Sequence, residues 1–126
     1  MREWKPVSYP SISPYLICRN AEEVITFLEA AFDGILLRRF DRPDGSLMHA
    51  EIRIDDSVVM ISGGAAEAVS APAHVHLYVQ DAQSSFARAI EAGASVVQAP
   101  ARKDEDDDLR GGVMDTSGNI WWIATQ

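Results

Sequence analysis

Apolar residues recur along this chain with two periods, and the switches between them mark out the elements. Val75, Leu77 and Val79 alternate with His74, His76 and Tyr78, which predicts a strand with one apolar face and one polar or aromatic face. Ala82, Phe86, Ala89 and Ile90 follow at helical spacing behind Asp81, whose short side chain suits an N-cap. Gly93 stands where a left-handed residue ends the helix. The polar face of the strand must point away from its helix, which makes it the candidate site.

The first half of the chain carries the same pattern. Ile12 to Cys18 reads as a strand, with Leu16 and Cys18 on one face and Ser13, Tyr15 and Ile17 on the other. Pro14 cannot donate to a ladder, which places this strand at a sheet edge. Asn20 is the expected cap of a helix, Glu23 holds the capping-box position, and Val24, Phe27, Leu28 and Ala31 form its stripe up to Gly34. Ile35 to Phe40 reads as a strand, and Pro43-Asp44-Gly45 as a turn. In the long strand Ser46 to Ile54, Met48, Ala50, Ile52 and Ile54 alternate with His49, Glu51 and Arg53, and Ser57 to Ser62 returns as a hairpin. Residues 1–11 read as an extended arm holding Pro6 and Pro10.

In the second half, Ser95 to Gln98, Gly112 to Met114 and Asn119 to Thr125 read as strands, and Asp104 to Asp108 as a solvated acidic loop. One interval separates Asn20 from Asp81 and also Asp55 from Thr116. The expected organisation is therefore α+β, a single domain over residues 1–126. It holds two βαβββ modules, 12–62 and 74–125, joined by a linker of small residues at 63–73. One such unit leaves a sheet face uncovered, so two should join their sheets.

Charge narrows the partners. The 126 residues carry 19 acidic against 11 basic side chains, a net charge of −8, which argues against nucleic acid and against an anionic membrane surface. No apolar run approaches the roughly 18 residues of a membrane span. The N-terminal residues show no signal-peptide pattern, and the lone Cys18 suits a reducing compartment, so a cytoplasmic location is expected. Cys18 has apolar parity and no neighbouring base in sequence, as expected of an inert buried thiol.

The open-face parity gathers the candidate chemistry. Tyr15, Met60, Tyr78 and Trp122 share it with His49, Glu51, His74 and His76, giving an aromatic, thioether-containing wall of the kind that lines small-molecule pockets. Packing in a core or a dimer interface accounts for the same aromatic residues. His49 and Glu51 read either as a cross-strand hydrogen-bonded pair near Arg53 or, with His74 and His76, as a rebuilt divalent-metal set. Trp121, of opposite parity, is expected to pack under a helix. Arg110 either anchors an anionic ligand or pins its own loop at Asp106 to Asp108.

Several stretches resemble the vicinal-oxygen-chelate superfamily of glyoxalase I, bleomycin-binding proteins, fosfomycin-resistance enzymes and extradiol dioxygenases. They are SPYL at 13–16, AEEVITFLEAAF at 21–32, PDGSLMHAEIRIDDSVVMIS at 43–62, HVHLYVQDA at 74–82 and DTSGNIWWIAT at 115–125. Their order is similar to the PhnB-like branch. The resemblance implies paired modules curling into a half-open mixed sheet with helices on the convex face, commonly in a homodimer, with a ligand pocket on the concave face. It places the superfamily's metal positions at Ser13, Met60, His74 and Trp122, of which only His74 is a usual metal ligand. The resulting expectation is a metal-independent small-molecule binding protein with no cofactor. The alternatives are a glyoxalase-like lyase or isomerase, or a dioxygenase-type enzyme, with a rebuilt metal site or with His74 and Glu51 exchanging protons. A further alternative is a non-catalytic interaction module with a filled pocket.

Overall fold

The computed structural model describes residues 4–64 and 72–126, so most of the expected linker lies outside the described residues. Ten elements follow in order: β1 (Tyr15–Cys18), α1 (Ala21–Phe32), β2 (Ile35–Asp41), β3 (Leu47–Ile54), β4 (Ser57–Gly63), β5 (His74–Tyr78), α2 (Ala82–Glu91), β6 (Ser95–Ala101), β7 (Leu109–Met114) and β8 (Ile120–Thr125). They form two four-stranded sheets with one topology, β1-β4-β3-β2 and β5-β8-β7-β6. The β1–β4 and β5–β8 pairs are parallel and the others antiparallel, so both sheets are mixed. The expected α+β pair of βαβββ modules is what forms. The two ladders stay separate, however, where a joined sheet was expected, and the modules meet through helices and one buried indole.

Local chemistry explains where the elements begin and end. The strand expected from Ile12 starts at Tyr15, because Pro14 has no N–H and only its carbonyl joins the ladder, accepting from the Met60 N–H at 2.9 Å. β1 lies at a sheet edge, as that proline requires. Asp81 caps α2 by accepting from the Ser84 N–H at 3.1 Å, and Gly93 follows the helix at φ 107°. Asn20 precedes α1 but makes no side-chain cap bond. Its amide reaches across to module two and donates to the Thr116 carbonyl at 2.9 Å. Nor is it Gly34 that turns left-handed after α1. Asp33 does so, at φ 56°. Gly34 serves close approach instead, since a Cβ there would sit 2.8 Å from Ile52 Cγ2 and 3.0 Å from the Leu28 carbonyl oxygen.

Met48 breaks the alternation expected of β3. It is exposed while Leu47 is buried. Phe40 pairs with His49 and Asp41 with Leu47, so Met48 is the extra residue of a bulge and loses its place on the core face. A second irregularity lies between Leu36 and Arg38 of β2, and β6 has two more, between Val96 and Gln98 and between Gln98 and Ala101.

The modules are joined at Trp121. Its ring is 1% exposed and lies 6.2 Å from Phe27 and 5.8 Å from Phe32 of α1, centroid to centroid. It therefore packs under a helix, but under the helix of the other module. Its indole N–H donates to Asp115 Oδ2 at 2.9 Å. Asp115 is buried and also accepts from the backbone N–H groups of Ser117 and Asn119 and from the Asn119 amide, which meets the need of a desolvated carboxylate for donors. Arg88 of α2 adds a tie at the far end, donating to Asp33 at 2.6 Å and to the Ala30 carbonyl at 2.9 Å. Cys18 is buried, and burial pushes its thiol pKa up.

Candidate functional site

Strand register decides which candidates meet. In the first sheet Tyr15 lies opposite Met60, Met60 opposite Glu51, and His49 opposite Phe40. In the second, His76 lies opposite Trp122, and Trp122 opposite Gly112. The eight candidates thus form two clusters, each on the sheet face opposite its helix. Tyr15, His49, Glu51 and Met60 belong to module one; His74, His76, Tyr78 and Trp122 belong to module two.

The module-one cluster centres on Glu51, which is only 6% exposed. His49 Nε2 lies 2.8 Å from Glu51 Oε2, and the Tyr9 hydroxyl donates to Oε1 at 2.5 Å. Arg38 Nε approaches Oε1 to 3.7 Å. Burial pushes the Glu51 carboxyl pKa up, but the Tyr9 and His49 hydrogen bonds and the Arg38 charge outweigh it, and the pKa lies below the ordinary glutamate value. Glu51 is therefore an ionised acceptor. Burial, and then the bond to Glu51, push the Tyr9 phenol pKa up and keep its proton in place. An ionised carboxylate can only accept, so the proton between Glu51 and His49 sits on Nε2. The His49 ring is flanked by Tyr15 at 5.7 Å and Phe40 at 6.2 Å, both near parallel.

The module-two cluster is more open. Trp122 Nε1 donates to His74 Nδ1 at 3.1 Å, and the two rings lie 12° from parallel. Arg110 Nε donates to His76 Nε2 at 3.1 Å, while its Nη2 donates to Asp108 at 3.0 Å. Tyr78 donates to the same Asp108 oxygen at 2.7 Å, a bond that raises its pKa. Arg110 thus pins its own acidic loop, with Asp107 a further 3.6 Å contact. Trp122 lies flat against Gly112, where a Cβ would meet ring carbons at 2.6 and 2.8 Å.

The sequence suggests hydrogen bonds or ion pairs for His49 and Glu51 with Arg53 nearby or, as a proton-exchanging couple, Glu51 with His74. In the chain Glu51 pairs with His49, Tyr9 and Arg38, while Arg53 donates to the Ser8 carbonyl at 2.9 Å. Tyr9 was missed because an isolated tyrosine in an aperiodic arm gives no pattern. Arg38 and Phe40 were legible in principle, since they alternate along β2 and share the face of His49.

The residues present do not fit the divalent metal that the superfamily resemblance implies. Its positions hold a hydroxyl, a thioether, an indole and one imidazole, and the indole N–H can only donate, as it does to His74. A catalytic zinc takes about three protein ligands. Among the described residues, no group of three or more His, Cys, Asp or Glu side chains is placed to hold a metal. A cleft of about 700 Å³ lies between the end of α1 and the start of α2, and of the eight candidates it is lined by Tyr78.

Comparison with known proteins agrees with this architecture. Residues 15–123 match the glyoxalase-like domain family. An uncharacterized Mycobacterium bovis protein, Mb0911c, is 36% identical over 91% of this chain and 82% of its own length. TioX from Micromonospora sp. ML1 superposes with a TM-score of 0.76 at 23% identity, over 92% of this chain and 98% of that one. The fosfomycin resistance protein FosX from Mesorhizobium loti superposes with a TM-score of 0.69 at 20% identity, over 93% and 92%. At these identities the two structures bear on the fold alone. Among the described residues, no helix is long and apolar enough to cross a membrane.

Proposed function

Because this chain belongs to the glyoxalase-like domain family, we propose that it is a metal-independent small-molecule binding protein, of the PhnB-like branch, working as a cytoplasmic homodimer. The observation that carries this reading is the pair of sheet faces that no helix covers. Tyr15 is 52% and Tyr78 61% exposed, on surfaces that also present imidazoles and no helix. Aromatic walls with a few oriented polar groups are the composition of ligand sites. In the homodimer, the module-one face of one chain meets the module-two face of its partner, so each of two sites draws on both chains. The donor set described above argues for recognition by stacking and hydrogen bonding without a cation.

The test is a thermal-shift screen with small aromatic compounds, alongside a solution mass measurement. A ligand present at a hundred times its Kd stabilises by about 2.7 kcal/mol. A hit together with a dimeric mass supports the proposal, and silence across a broad panel from a monomer would end it. Stoichiometric metal in protein purified without chelator or affinity tag, lost in His74→Ala, would overturn its metal independence.

The His49–Glu51 contact favours a second reading, a metal-free proton-transfer enzyme. The carboxylate fixes the imidazole tautomer and leaves Nδ1 as a base. This reading requires that a ligand from the screen exchange a C–H proton with deuterated solvent, and that His49→Gln abolish the exchange.

A further inference from the structure

The N-terminal arm lies against the module-one face, and its attachment is narrow. Trp4, Val7 and Ile12 are 80%, 83% and 87% exposed, so apolar burial of these side chains does not hold it. Lys5 bonds to Ser11 at 3.2 Å, and the Tyr9 N–H to the Pro6 carbonyl at 3.2 Å, both within the arm. The contacts that reach the sheet converge on Tyr9 and the residue before it. The Tyr9 phenol donates to Glu51 and Arg53 donates to the Ser8 carbonyl. Two guanidinium carbons stand off the Tyr9 ring, Arg38 at 5.3 Å and Arg53 at 5.9 Å. Ser8 itself is held at φ 66°, a left-handed conformation unfavourable for a serine.

We propose that Tyr9 stands in for the ligand, and that the module-one face takes phenols: neutral hydroxyaromatic compounds whose O–H donates to Glu51 beneath Arg38 and Arg53. The inference rests on the binding reading given above and names its ligand class. Glu51 Oε1 loses the Tyr9 hydroxyl when the arm leaves, and a phenol restores that donor with the geometry already present. The two guanidinium groups attract an electron-rich ring. The arm therefore acts as a tethered competitor, raising the apparent Kd in inverse proportion to the fraction of sites it leaves open.

The experiment titrates p-cresol and toluene into the full-length protein, followed by backbone amide shifts, which also report folding. The forms compared are wild type, Tyr9→Ala, Tyr9→Phe and Tyr9→Ala combined with Glu51→Gln. An arm docked in nine molecules of ten makes p-cresol bind about tenfold more tightly to Tyr9→Ala than to wild type. Tyr9→Phe, which keeps the ring and loses the hydroxyl, should fall between them. Toluene should bind at least tenfold more weakly than p-cresol, and the Glu51→Gln combination should erase that preference. Equal p-cresol affinity in wild type and Tyr9→Ala, or equal affinity for toluene, overturns the proposal. If either result accompanies thermal-shift hits of another class, the phenol assignment fails and the binding reading stands. If no compound shifts any form, both fail. Should the Glu51→Gln combination not fold, the order of the three Tyr9 forms still decides the matter.

Discussion

The two modules share a topology and differ in how far each is finished. α1 buries seven side chains, among them Phe27, Leu28 and Phe32, whereas α2 buries Ala82 and Ala89 alone. The faces differ in the same sense. Module one has a buried carboxylate with its donors in place and an arm laid over it. Module two has exposed imidazoles and an exposed tyrosine, tied by Arg110 to a solvated loop. At one equivalent position the register sets Glu51 opposite Met60 and Gly112 opposite Trp122. A carboxylate beside a thioether in one half becomes an indole laid on bare backbone in the other. Module one thus supplies a fixed hydrogen-bonding point and module two a flat stacking surface, a division of labour available to a duplicated fold once its halves diverge.

The largest effect is expected where the halves depend on each other. Trp121→Ala removes the ring that module two packs against Phe27 and Phe32 and leaves Asp115 short of one donor. It should cost about 3–5 kcal/mol in urea denaturation. Module one has the larger apolar store of its own, so its amides should keep more hydrogen-exchange protection in this variant than those of module two. Equal loss in both halves would dissolve the contrast.

Gly112→Ala addresses the stacking surface. The added methyl overlaps the Trp122 ring, so the indole must lift, at about 1–3 kcal/mol. Trp122 fluorescence and the His74 ring signals should change together, because the Trp122–His74 bond breaks with the move. A variant with unaltered emission would show that the ring does not rest there.

The smallest effect is a slope. The Glu51 pKa is lowered by folding, so in acid the unfolded chain binds the extra proton. The stability Glu51 adds is complete above the ordinary glutamate pKa of about 4.3 and is lost as pH falls from there through the folded value. Urea midpoints of the wild type should therefore fall more steeply in acid than those of Glu51→Gln. Parallel curves would mean that the carboxylate is not held as described.

Much of this was legible in sequence. Sequence patterns located both helices and a part of all eight strands, with β6 running on to Ala101 beyond the expected Gln98 and β7 starting at Leu109 before the expected Gly112, and Asp81 and Gly93 behaved as local chemistry dictates. The failures share one cause, which is long-range competition for a local group. Asn20 was read as a cap, yet its amide is drawn to Thr116, ninety-six positions away. Met48 was assigned to the core until a bulge shifted it out. Asp33 takes the left-handed turn, while Gly34 is needed for the close approach of Ile52. The candidate residues fell on the open faces as parity required, but their division into two clusters depends on how the modules pack. The partnership of Tyr9 with Glu51 joins residues 42 apart, through an arm that has no periodicity.

The irregular pairings of β2 and β6 have a consequence for the solubility of a chain that leaves so much apolar surface bare. Ile35, Leu36, Phe40, Val96 and Val97 are all exposed on strands at sheet margins, where a neighbouring molecule finds unsatisfied amides and carbonyls. A regular margin of this kind would template end-to-end polymers. Each of these two is broken twice, and Pro100 withdraws one donor from β6, so no long straight rail is offered to a stranger. The molecule can leave its faces open because its borders are too crooked to zip.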